Sequence, residues 1–581
     1  MPQARRFALL LSMVPLSCAA FRTQDAVDTG PYRDEGALAA ALGALAASRA
    51  DAVSLGSIGD SREGRAIHVL EIAAPGREAP GDRPAILLVA GLDGGHLVGT
   101  EVAMEAVRAL LAAAAEDEAI RRSLEERTLY VVPRANPDGA AARFEAPLRE
   151  RAGNGRPHDD DRDGRVDEDG PSDLDGDGTI VRMRVRDPEG TLVADDVDPR
   201  LLRDADPLAG ERGLWRLEEE GADGDGDGKT NEDPPGDARP HRNFPHGFPE
   251  HAADGGFHAA SEPEARALLE FCLAHPNLAA VLVWGPQDNL VATPAEGDTE
   301  KGDGDPDEGP FFRSRSPVAK LLAEDLSLVR EIGERYREIT GSKAKGDRAD
   351  EAGTFAAWSY FHAGLPTFAA TLWTPPIEEA PATRPAGEPE AKRDDSKEEK
   401  AREEERKRLR WNDEALGGAG FVPWHEVPHP EHGTVEVGGW RPFVLRNPPV
   451  EQIAPLGAPQ ARFLASLAGS LPRVHVAEVK VEAKAEGIFA IEASVENAGR
   501  FPTATAMARR NRAVLPVRVR IDLPEGARIL AGERQTLVPF LRGGGGRETV
   551  RWIVSAPAGS SGAVEAWTRN AGRATSPVRF E

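Results

Sequence analysis

The strongest constraint on the fold is a series of short, nearly continuous apolar runs. They occupy residues 66–73, 84–92, 128–133, 278–284 and 366–373. Runs of that length, without sustained polar alternation, suit strands covered on both faces. Between them, residues 100–114, 262–273 and 317–339 place apolar side chains at helical spacing. Alternation of the two patterns predicts an α/β fold with a largely parallel or mixed sheet flanked by helices, over residues 32–375.

The chain is 581 residues long, too long for one ordinary domain. From residue 473 the pattern changes. Residues 474–481, 489–495, 517–521 and 550–554 approximate strand alternation, separated by turn signals at Asn497-Ala-Gly499 and Gly543–Gly546. This predicts a C-terminal antiparallel β-sandwich over 473–581. Residues 376–412 form a charged linker or insertion, within which Ser396 and Glu399 have capping-box spacing. Residues 413–472 read as a connecting hairpin and helix.

Net charge is −26, which argues against a nucleic-acid partner, since phosphate binding needs clustered Lys and Arg. The first 20 residues read as a signal peptide: Arg5 and Arg6, an apolar run over 7–16, then Ser17-Cys18-Ala19-Ala20. The expectation is export to a periplasmic, extracellular or cell-surface location, with lipid anchoring at Cys18 as the alternative. Cys18 and Cys272 are the only cysteines, so signal removal leaves no intramolecular disulfide. No later segment is apolar for long enough to span a bilayer.

Three constellations carry possible chemistry. The first is Asp93-Gly-Gly-His96, at the C-terminal end of a predicted strand, where ligands of α/β sheets converge. The pair reads either as two zinc ligands or as a turn-capping Asp beside a packed His, and spacing alone favours the turn. The second is Asp-rich and occurs three times: Asp159, Asp161, Asp163 and Asp167; Asp173, Asp175 and Asp177; Asp223, Asp225, Asp227 and Asn231. Alternate carboxylates followed by Gly suit calcium, although Gly170, Arg184 and Pro234 stand where an EF-hand loop has its bidentate Glu. The alternative is a solvated acidic loop. Repetition favours structural calcium, in inserts at 157–180 and 218–236. The third is His241-Arg242-Asn243, whose Arg has the fork geometry to clamp a carboxylate, or else forms a surface ion pair.

Taken together, residues 32–373 resemble the zinc carboxypeptidase family, the group containing carboxypeptidase A. Asn136-Pro-Asp-Gly139 is similar to a family loop, and Ser261-Glu-Pro-Glu264 to the acidic start of a family helix. His241-Arg242-Asn243 stands on an Asn-Arg-Asn triplet. Phe421–Trp424, Gly438–Trp440 and Asn447–Pro449 resemble a bacterial branch with Asp-rich inserts and a C-terminal sandwich. The resemblance implies that Arg242, with His241 and Asn243, holds a substrate carboxylate. Arg151, or alternatively Arg149, matches a second carbonyl-polarising Arg.

The departures fall on the chemistry. Asp93 and His96 stand on the family's His and Glu zinc ligands, and Gly285 on its third, a His. Thr371 replaces the general-base Glu, and Arg348 falls near the mobile Tyr. A catalytic zinc needs three protein ligands plus water, and loss of a general base typically costs ~10²–10⁴ in rate. The expectation is an exported carboxypeptidase-like protein, inactive or impaired, that binds peptide C-termini or other carboxylates through Arg242. Two alternatives stay open. One is an active zinc metallocarboxypeptidase with a rebuilt site using Asp93, His96 and a distant third ligand. The other is a calcium-stabilised envelope or matrix protein.

Overall fold

The structure is a computed structural model that describes residues 32–157, 159, 164–226, 228–231, 238–301, 318–377 and 395–581. The proposed signal segment therefore lies outside the described residues, as do Asp161, Asp163 and Asp227.

The α/β domain is built on a six-stranded mixed sheet. Its strands are β1 (Val53–Asp60), β2 (Ala66–Ile72), β3 (Ala85–Ala90), β4 (Thr128–Val132), β5 (Leu278–Trp284) and β6 (Thr367–Ala370). They lie in the order β1-β2-β4-β3-β5-β6. The β4, β3, β5 and β6 neighbours pair in parallel, and the β1-β2-β4 margin is antiparallel. Every residue of β3, β4, β5 and β6 is buried, which is why these segments read as unbroken apolar runs.

Helices cover the sheet. The main ones are α1 (Glu35–Ser48), α2 (Val98–Glu116), α3 (Pro263–Ala274), α4 (Leu326–Thr340) and α5 (Phe355–Phe361). One face carries α2 and α4 in a core with Ile86, Leu88 and Phe368. The other carries α3 and α5, with Leu87, Val89 and Val283. The helix predicted from residue 317 starts only at Leu326, because residues 321–322 are drawn into a short bridge with Thr299–Glu300. Asp34 caps α1 by accepting from the Ala37 amide at 2.7 Å, satisfying one of the orphan donors of its first turn.

The charged segment contributes α6 (Asp395–Ala415). Leu409 and Trp411 are buried, and Arg406 donates two hydrogen bonds, at 3.0 and 2.6 Å, to a fully buried Asp195. It is a packed helix, fixed to the insert between the Asp-rich loops. The hairpin Phe421–His429/Gly433–Trp440 then joins four insert strands in a second six-stranded sheet, pairing with Arg182–Arg186. α7 (Ile453–Ser470) returns to pack on α2. A Cβ on Gly457 would come within 2.5 Å of Glu105 Cβ, so only glycine permits this approach.

Residues 474–579 form two four-stranded antiparallel sheets. Their facing side chains include Phe489, Ile491, Trp552, Val564 and Phe580. Asp325, at the start of α4, accepts from the backbone amides of Ala506 and Met507 and from Tyr360 Oη, joining this unit to the α/β domain. Among the described residues, no helix is long and apolar enough to cross a membrane.

Candidate active-site crevice

The C-terminal end of β3 opens into a turn that brings Asp93 and His96 into a buried crevice, 4% and 3% exposed. The turn is tight because two glycines touch: a Cβ on Gly94 would lie 2.5 Å from Gly139 Cα, in the Asn136-Pro-Asp-Gly139 loop. Asp93 Oδ1 accepts the Gly95 amide at 2.8 Å, the turn-capping arrangement. Its other oxygen faces an imidazole and a guanidinium. His241 Nε2 is 3.8 Å away and Arg446 Nη1 3.5 Å away. Arg446 also reaches Glu150, with Nε 3.2 Å from Oε1, while Glu150 Oε2 accepts the Phe443 amide at 2.9 Å.

The charge states follow from this packing. Burial disfavours ionised Asp93, but His241, Arg446 and the Gly95 amide hold it below the ordinary carboxylate range. Burial pushes His96 down to about 4 against the pull of Asp93, and lowers His241 as well. It also raises Glu150, with Arg446 opposing. Both ring nitrogens of His96 and Nδ1 of His241 are buried without a hydrogen-bond partner. His96 is thus a neutral imidazole at pH 7 whose polar atoms are desolvated without compensation.

Arg242 Nη1 donates to Asp254 Oδ2 at 2.9 Å, and Arg239 shares that carboxylate at 3.3 Å. Arg242 Nε is buried and unpartnered, and the side chain is 30% exposed. Asn243 does not offer itself to a ligand. Its Nδ2 donates to Gly255 O, His258 O and Ser261 Oγ, and its Oδ1 accepts the Glu262 amide. Arg151 donates to Asp138 O at 2.6 Å and Glu63 at 3.2 Å, and Arg149 lies 3.4 Å from Glu219. The hydroxyl of Thr371 is shared between Pro286 O at 2.9 Å and Gly285 O at 3.2 Å. Gly285 itself has room, since a Cβ there would meet nothing closer than Gln287 Oε1 at 3.5 Å. Packing therefore does not require a glycine at this position.

Arg446 and Glu150 were not among the expected site residues. Glu150 sits between the two arginines considered for the carbonyl role, and Arg446 directly precedes the Asn447-Pro-Pro landmark. Asn447 explains the placement. Its Oδ1 accepts the Val98 amide at 2.9 Å and its Nδ2 donates to Gly95 O at 2.8 Å, clamping this segment over the entrance to α2.

The donor set does not fit a catalytic zinc. Among the described residues, the one group of three His, Cys, Asp or Glu side chains whose ligand atoms lie within 4.8 Å of one another is Asp173, Asp175 and Asp177. Asp93, His96 and His241 do not converge that closely, and a guanidinium already faces the carboxylate oxygen.

In the Asp173 loop, Asp173 accepts from the Gly176, Asp177 and Gly178 amides, and Asp175 lies 2.8 Å from His425 Nε2. Burial, then Asp175, raises Asp177. The Asp223 carboxylate likewise accepts from the Gly226 and Gly228 amides. Asp167 and Asn231 adopt left-handed backbone at φ 58° and 61°. Asp159, Asp167, Asp225 and Asn231 are not part of the close triad. A separate cavity of about 260 Å³ is lined by Leu321, Val329, Tyr360, Phe361, Phe368 and Arg348; none of the crevice residues borders it.

Parts of the chain are similar to known proteins. Residues 38–177 match the zinc carboxypeptidase family, and residues 473–579 match a domain of unknown function (DUF8731). Carboxypeptidase D of Anas platyrhynchos is 29% identical over 133 residues, which are 23% of this chain and 9% of that protein. The crystal structure of thrombin activatable fibrinolysis inhibitor aligns at 15% identity and TM-score 0.36, covering 58% of this chain and 66% of that one. Carboxypeptidase A from Helicoverpa armigera aligns at 15% identity and TM-score 0.33, covering 67% and 74%. Over residues 38–177, the first half of the α/β domain, the chain is thus similar to the zinc carboxypeptidases.

Proposed function

We propose that this protein is an exported, carboxypeptidase-like binding protein that captures peptide C-termini or other carboxylates at Arg242 and does not hydrolyse them. The observation that carries this reading is Thr371. A threonine hydroxyl cannot take a proton at neutral pH, and this one is spent on two backbone carbonyls. Arg242 supports the binding half. Its side chain is 30% exposed, so the outer part of the guanidinium fork can meet a ligand, although Asp254 competes for the charge.

Calcium in the Asp-rich loops belongs to the same proposal. Three carboxylates crowded at Asp173, Asp175 and Asp177 repel one another, and a divalent cation relieves that repulsion. Such a cation would order long inserts in a chain without disulfides.

The test is calorimetric titration with one peptide in two forms, free C-terminus and C-terminal amide. The free acid is expected to bind, with the amide and an Arg242→Gln variant each at least ~10-fold weaker, the loss of one charge-assisted bond. Equal affinity for acid and amide would overturn the proposal.

A further inference from the structure

We propose that Arg446 is the resident cation of the crevice: its guanidinium holds Asp93 and Glu150 together and bars a divalent metal from the Asp93/His96 corner. The inference rests on the reading of the site as non-hydrolytic and adds a cause for it.

Four observations carry the inference. Arg446 Nη1 and Nε lie 3.5 and 3.2 Å from Asp93 Oδ2 and Glu150 Oε1, so one planar group faces both carboxylates. Its backbone position is fixed, because Asn447 bonds to Gly95 and Val98 while the Phe443 amide bonds to Glu150. Gly95 packs closely against the cluster. A Cβ on Gly95 would meet Glu150 Oε1 at 2.9 Å, Arg446 Nη1 at 3.2 Å and Asp93 Oδ1 at 3.3 Å. Finally, Arg446 comes from beyond the charged helix and hairpin, outside the segment that matches the carboxypeptidase family.

A carboxylate can serve as a metal ligand only if the metal replaces whatever cation it already holds. A permanent positive charge this close repels an incoming Zn²⁺ and competes for the same oxygen. The side chain is 46% exposed, so solvent weakens the effect without removing it. The imidazole nitrogens of His96, left without partners, are what a metal would recruit once the guanidinium is gone.

The experiment is a zinc titration against a chromogenic chelator, on wild type, Asp93→Ala, Arg446→Met, Arg446→Lys and Arg446→Met/Asp93→Ala. Wild type and the lysine variant are expected to load no zinc that depends on Asp93. Arg446→Met should gain about one equivalent, with affinity raised on the order of a hundredfold, and lose it again with Asp93→Ala. If the methionine variant does not fold, Arg446→Gln removes the charge while keeping a polar side chain, and serves the same test. Zinc bound by wild type and lost in Asp93→Ala overturns the inference, as does a charge-removing variant that gains none. Failure of Arg242 to bind peptides leaves the zinc result unchanged, so the two readings fail separately.

Discussion

Lowering pH tests the crevice through His96. Its folded value lies at about 4 because it is buried, against ~6.5 in an unfolded chain. The unfolded chain therefore takes up the proton first. Stability is full above pH ~6.5 and is lost as pH falls toward 4. Each unit of that gap corresponds to about 1.4 kcal/mol, so the descent from pH 6.5 to 5 costs about 2 kcal/mol and the whole window about 3. The perturbation is His96→Leu, which removes the titrating ring and its two unpartnered nitrogens while keeping most of the side-chain volume. Urea unfolding followed by tryptophan fluorescence at pH 7.5, 6.5, 5.5 and 5 gives the comparison. At pH 7.5 the variant should equal or exceed wild type, since an uncompensated buried polar group typically costs about 1–3 kcal/mol. By pH 5 wild type should have lost about 2 kcal/mol more than the variant. Parallel pH curves would refute the reasoning. A variant destabilised at pH 7.5 only when zinc is present would show instead that His96 is a metal ligand.

Two further predictions concern the scaffold. Arg406→Met in α6 leaves the buried Asp195 carboxylate without its partner, and should cost about 3–5 kcal/mol in urea unfolding, with Asp195→Asn added to recover part of the loss. Asp195 is held at about 2, chiefly by Arg406, so this contribution is present above pH ~4 and disappears as pH falls toward 2. Calcium at a hundredfold its dissociation constant should raise stability by about 2.7 kcal/mol, read as a higher melting midpoint, and chelation should reverse it. Asp175→Ala with Asp177→Ala should abolish the response, and a wild-type midpoint indifferent to calcium would count against the loops as calcium sites.

Much of the fold was legible because the central strands are buried on both faces and announce themselves as apolar runs. β1 was not, since Val53–Asp60 is mostly exposed and carries two glycines. The second six-stranded sheet was also hidden. Its strands come from segments as distant as Leu192–Ala194 and Gly433–Trp440, and no local pattern marks three-residue strands. In the crevice, Asp93 and His96 were legible because they are neighbours on one turn. Arg446 was not, because only the Asn447 clamp, across some 350 residues of chain, brings it there. Asn243 carried a motif-based expectation of ligand contact, and its four internal hydrogen bonds give it the role of fixing the Arg242 loop instead.

The central claim is that a carboxypeptidase frame here binds without cutting. The most direct measurement incubates stoichiometric protein, with added zinc, with a peptide pool covering every C-terminal residue, followed by mass spectrometry. The account predicts every peptide recovered at full length. Zinc-dependent loss of single C-terminal residues, abolished by Asp93→Ala with His96→Ala, would contradict it.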